Sequence, residues 1–177
     1  MKSGNFAKFN HRALRTAVAS AVVLGGVGFG LNAYAATATG NATATVIAPI
    51  TITNTADLAF GKFAASTGGT VVMAPAGTRT ATGAVVLSTV TPGAAASFDV
   101  AGDNDATYAI TLPGAASTIS SGVNTMSVDT FTSTPSATGT LSASGAETVT
   151  VGGALTVASG QATGAYTGTF DVTVEYN

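Results

Sequence analysis

The sequence predicts an all-β fold, an antiparallel sandwich, and three features carry that reading. Apolar residues recur at every second position, as in Tyr166, Gly168, Phe170, Val172, Val174 and Tyr176 set against Thr167, Thr169, Asp171, Thr173 and Glu175. That is the period of a strand with one buried face. Turn-forming clusters punctuate the chain at strand-plus-loop intervals: Gly68-Gly69, Pro75 to Gly77, Pro92-Gly93, Gly102 to Asp105, Pro113-Gly114, Ser121-Gly122, Pro135, Ser144-Gly145 and Gly152-Gly153, which is the spacing of sandwiches. No window places apolar residues at helical spacing over three turns. With 46% hydrophobic and 8% charged residues, the chain is too apolar to be kept unfolded by solvation and self-repulsion, and 177 residues suit one ordinary domain.

The first element is not part of that domain. Lys2, Lys8, His11, Arg12 and Arg15 precede an uncharged run from Ala17 to Leu31, and Ala33-Tyr34-Ala35 then places small residues where a signal peptidase reads. This pattern predicts a cleavable signal peptide over 1–35. The apolar run, broken by Gly25, Gly26, Gly28 and Gly30, falls short of the roughly 20 residues a membrane-spanning helix needs. The exported chain is then read as an N-terminal extension over 36–45 and a sandwich domain over 46–177. It keeps Lys62 and Arg79 as its only bases against eight acids.

That remainder restricts the chemistry. It holds no His, Cys or Trp, so His general bases, Cys nucleophiles and imidazole or thiolate metal sites are excluded from it. Without clustered Lys and Arg it lacks the counterion-release term that drives nucleic-acid binding. A Ser-Lys arrangement on Lys62 or a carboxylate pair has no supporting spacing. The reading is therefore no enzyme, no catalytic residues and no cofactor. Asp99, Asp103, Asn104 and Asp105 offer oxygen ligands for calcium, but they lack the EF-hand pattern, and Gly102 to Asp105 is read as a tight turn with no metal. Asn41-Ala42-Thr43 matches the short glycosylation acceptor motif. Lys62 and Arg79 are expected as isolated surface charges.

Nine strands are expected, near 43–53, 57–63, 70–74, 83–90, 96–101, 106–112, 123–131, 146–157 and 164–176. An outer-membrane barrel shares the alternation, but it needs aromatic girdles and strands of nine to eleven residues. The sandwich part has eight aromatic residues, and several of the expected strands are shorter than that.

Gly164 to Asn177, with a Gly fourteenth from the end, alternating apolar residues and the penultimate aromatic Tyr176, resembles the C-terminal strand of chaperone–usher pilins. Val46 to Phe63, VIAPITITNTADLAFGKF, resembles the opening of a broad group of secreted bacterial domains of unknown function that close on a YTGTFxVTVxYN-like strand. It is also similar to archaic pilins of the spore-coat-U type. The chain departs from many pilins in having no Cys for a disulfide near the first strand.

The resemblance implies an immunoglobulin-like sandwich that lacks one strand. The last strand borders the gap, which is filled first by a periplasmic chaperone and then by the extension of the next subunit at an outer-membrane usher. On that reading Tyr166, Phe170, Val172, Val174 and Tyr176 form the acceptor edge. Ala38, Gly40, Ala42, Ala44 and Val46, alternating with Thr and Asn, form the donor strand. An uncovered edge of this kind forfeits roughly 1.5–3 kcal/mol per large apolar side chain, a large share of a stability of about 5–15 kcal/mol, so a partner strand is required. The expected function is a structural subunit of a fibre on the surface of a Gram-negative bacterium, self-associating, with no membrane span after processing. The alternative is a monomeric secreted binding module whose loops at 102–105 or 132–140 contact a glycan or surface partner, with Val46 to Thr53 covering the exposed face.

Overall fold

Valine, threonine and alanine in alternation produce strands because branched side chains pack well on a pleated surface, and the computed structural model, which describes residues 35–177, is built from strands and loops alone over that range. The expected signal segment lies outside the described residues except for Ala35. Two units separate at Thr43/Ala44. Residues 35–43, the described part of the first, are exposed coil. The strands, sheets and core described next belong to the second.

Ten strands follow in order: β1 (Thr51–Ala56), β2 (Phe63–Met73), β3 (Arg79–Leu87), β4 (Ala96–Ala101), β5 (Thr107–Thr111), β6 (Ser117–Ser121), β7 (Asn124–Thr134), β8 (Thr138–Thr140), β9 (Ala146–Val157) and β10 (Thr173–Tyr176). Seven form one open sheet in the order β1-β4-β9-β2-β3, with β7 also on β9 and β6 on β7, and three form a second, β10-β5-β8. Every pairing is antiparallel.

β9 organises the large sheet. Val151 pairs with Ala96 of β4 and Ser133 of β7, and Thr156 pairs with Thr70 of β2 and Ser127 of β7. Since a strand has two sides, β7 occupies one of them from Thr150 to Thr156 while β4 and β2 share the other in tandem. Gly152 and Gly153 sit at the handover. A Cβ on Gly152 would meet the carbonyl of Met73 where β2 ends.

The core divides accordingly. Val149 and Val151 of β9, with Ala96, Phe98 and Val100 of β4, are covered by Tyr108, Ile110, Leu141 and Val174 from the region of the three-stranded sheet. This half is a closed sandwich. Leu155 and Val157 of β9 join Val71, Met73, Met126, Val128 and Phe60 in a second cluster. Over that cluster no strand is laid, only the chain between β9 and β10, whose Tyr166 packs against it.

Several expected limits move. Strands 96–101 and 146–157 are found as read, while 57–62 is not a strand and touches the ladder only where Ala59 bridges Ala94, and Phe63 opens β2 opposite Leu87. The first strand begins at Thr51, later than 43. Gly68-Gly69, which resembles a turn in the sequence, is a bulge inside β2. Gly68 has φ 88°, Gly69 has φ 156°, and the register with β3 shifts between Ala65 and Gly69, a geometry that glycine permits within a strand. β6 and β8 are hydroxyl-rich and short, and Ile119 is their one large apolar residue.

The expected strand 164–176 contracts to 173–176. Upstream of it only Thr167 enters a ladder, as a single bridge to Ser120, because this segment crosses from the edge at β6 to the edge at β5. Gly168 permits the crossing, since a Cβ there would collide with the carbonyl of Thr118.

Candidate functional site

Between the face of the second cluster that no strand covers and the chain above it lies a groove of about 1130 Å³. Its floor is Met126 and Val128 of β7 with Leu155 and Val157 of β9, side chains that the strand period turns to the same face of the sheet. One wall is the β1–β2 connection and the start of β2, from Asp57 to Ala65, presenting Leu58, Phe60 and Phe63. The other wall is the segment from Gln161 to Phe170. The volume exceeds the roughly 300–1,000 Å³ of ordinary small-molecule pockets.

The second wall is held sparingly. Thr167 exchanges both backbone hydrogen bonds with Ser120, at 2.8 and 3.0 Å. In an antiparallel ladder the neighbouring residues point their N–H and C=O groups the opposite way, so those of Tyr166 and Gly168 face away from β6. Among the described residues, Thr167 alone makes backbone–backbone bonds between 162 and 172. The wall is therefore an unpaired edge beside an apolar trough.

The first wall owes its position to Arg79, whose guanidinium donates to the carbonyls of Phe60 (2.6 Å), Lys62 (3.2 Å), Thr91 (3.2 Å) and Ser88 (2.5 Å). The expectation of an isolated surface charge is corrected for Arg79. Its five N–H donors in a fixed fork gather carbonyls of the turn around Gly61 and of the 88–91 loop that no strand satisfies. Lys62 remains exposed.

The five residues read as an acceptor edge separate into two sets. Tyr166 lines the groove, and Phe170 lines it at the boundary with the closed half. Val172, Val174 and Tyr176 belong to the closed cluster, with Val174 8% exposed. There the chain covers its own face: Ile50 and Ile52 pack on that cluster, and the Tyr176 hydroxyl donates to the Ala48 carbonyl at 2.9 Å and accepts from the Asp103 N–H at 2.6 Å.

The donor residues Ala38, Gly40, Ala42, Ala44 and Val46 lie in exposed coil, with Val46 96% exposed and Ile47 50% exposed. The acidic loop is a turn in which Asp105 has φ 58° and the Ala106 N–H meets the Asp103 carbonyl at 3.4 Å. Asp99 is engaged elsewhere, accepting from Thr148 on β9 at 3.0 Å. Among the described residues no three His, Cys, Asp or Glu side chains gather as a metal site.

The closed half carries a polar lock. Tyr108, fully buried, donates to Glu147 Oε2 at 2.8 Å, and the same oxygen accepts the Thr140 N–H at 2.9 Å. Burial, then the hydrogen bond to Glu147 and its charge, push the phenol well above its ordinary value near 10.

Sequence reasoning missed Arg79, Gln161 and the floor residues Met126 and Leu155. The alternation around Met126 and Leu155 was visible, but nothing local distinguishes an inward residue that is covered from one that is not.

The sequence profile of the family described as a domain of unknown function, DUF4402, matches residues 50–176. The chain belongs to that family. The match runs from just before β1 to the last residue of β10, so the DUF4402 domain contains the groove and both core clusters. No curated protein and no solved structure matches the chain. Among the described residues of this DUF4402 protein, no helix is long and apolar enough to cross a membrane.

Proposed function

We propose that this DUF4402 chain is a structural subunit of a bacterial surface fibre and assembles by strand addition, with the leading arm of one copy entering the groove of the next. One observation carries the reading: an apolar trough flanked by a wall whose backbone, from 162 to 172, enters a ladder only at Thr167. Strand addition suits such a place because ladder bonds give affinity and alternate side chains give register.

The arm supports a second copy as the occupant. From Ala36 to Ile47 it is uncharged, coiled and largely exposed, up to Val46 it alternates apolar or glycine residues with hydroxyl or amide residues, and the Ala48 carbonyl just after it accepts a hydrogen bond from Tyr176. The proposal includes export through the segment 1–35, an immunoglobulin-like sandwich, a periplasmic chaperone and an outer-membrane usher as assembly partners, and no catalytic role.

Deleting Ala36 to Thr45 tests it. Loss of the polymer ladder on gels run without boiling is expected, and undiminished polymers would remove the arm as the donor. A second reading, a monomeric secreted binding module, is favoured by the self-covered end at Ile50, Ile52 and Tyr176. It requires the intact exported chain to remain monomeric at all concentrations in sedimentation.

A further inference from the structure

The wall over the groove is fastened to β7 at two points, and they lie on either side of the floor. At one end Gln161 Nε2 donates to the Thr125 carbonyl at 3.2 Å and to the Tyr166 hydroxyl at 2.8 Å, and that hydroxyl donates to the Ala162 carbonyl at 2.7 Å. At the other end Phe170 stacks on Phe131, ring centroids 5.0 Å apart and planes at 26°, and meets Phe98 edge-on at 6.1 Å and 84°. Thr125 and Phe131 both belong to β7, and the floor residues Met126 and Val128 lie between them. Beyond Phe98 the space is filled by the closed cluster, none of whose other buried members lines the groove.

At about 3.3 Å per residue the two fastenings are at most roughly 20 Å apart, the bulge of β7 between Asp129 and Thr132 shortening the span. We propose that they bound the groove, so that it seats only about five residues of an incoming strand, three of them turned to the floor. The occupant is a second copy's arm, and this inference rests on the strand-addition reading. It makes the seated segment shorter than the whole alternating run from Ala38 to Val46. A strand entering between the walls is stopped by the aromatic cluster at one end and by the Gln161–Tyr166 latch at the other. Because side chains alternate at a period of two, the stops also restrict register, since a slip by one residue would turn the hydroxyl side of the arm to the apolar floor.

The chain has no Cys, so single cysteines placed in turn from Thr37 to Ile47 of the full chain can be probed with a maleimide in the assembled polymer. Protection at three alternating positions within a window of five is expected. In Phe170→Leu and in Gln161→Ala, which loosen opposite ends, the number of protected alternating positions should rise from three to four or more. Protection of all of Ala38, Gly40, Ala42, Ala44 and Val46 in the unaltered groove would overturn the short seat and leave strand addition standing. A window unchanged in both variants would overturn the two fastenings as its bounds. Polymers with no protected arm position, or no polymers at all, would overturn the strand-addition reading and this inference with it.

Discussion

The two halves of the core are built from the same β9, yet one is sealed and the other is not. Over Val149 and Val151 lies a second sheet, small but hydrogen-bonded throughout. Over Leu155 and Val157 lies a single length of chain held by one bridge, a glutamine and a phenylalanine ring. The floor residues are as deeply placed as those of the closed half, Leu155 being 1% exposed against 1% for Leu141. Low exposure therefore does not mark a filled core. What distinguishes the halves is whether the opposing layer has its own ladder.

The largest difference between the halves should appear on truncation. Leu141→Ala, in the closed half, is expected to cost about 4 kcal/mol because it leaves a sealed cavity, whereas Leu155→Ala, beside space already open, should cost about 2 kcal/mol. Urea unfolding of both variants measures the gap, and equal losses would mean that the groove is closed in solution. Next in size is Arg79→Gln. Hydrogen bonds from a charged donor contribute about 1.5–3 kcal/mol each, and glutamine keeps only part of the fork, so a loss of about 2 kcal/mol is expected. Binding of an apolar dye should rise as the 57–65 wall loosens. Arg79→Lys should behave similarly, since a point charge cannot reach four carbonyls.

The smallest effect sharpens the closed half alone. Tyr108 holds its proton in the fold at pH values where the unfolded chain releases it. Its contribution is therefore complete below about pH 10 and declines above that, toward the raised folded value, by about 1.4 kcal/mol per pH unit. Tyr108→Phe should flatten this alkaline slope in melts between pH 9 and 11. It should also cost about 1 kcal/mol near neutrality, because Glu147 loses a donor.

Much of this was legible in the chain. The limits of β4 and β9 could be read because each is a clean alternation bracketed by turns, Gly102 to Asp105 and Ser144-Gly145 among them. The groove was legible only in part. Tyr166 and Phe170 were singled out for their alternation, but the same pattern runs on through Val174 and Tyr176, which the fold covers with Ile50 and Ile52. Periodicity reports which face a residue takes and not what lies opposite. That depends on where a segment changes sheets, a long-range matter decided by the approach of Gly168 to Thr118. Arg79 was opaque for a similar reason, since its carbonyl partners come from two separate connections, Phe60 and Lys62 before β2 and Ser88 and Thr91 after β3.

β9 runs through both clusters without interruption, so the order of each is coupled to that of the other along that strand. Whatever settles into the grooved end should then raise the melting temperature of the sealed end, which it never touches. A subunit inside an assembly would be hardened along its full length by an occupant that reaches only a part of it.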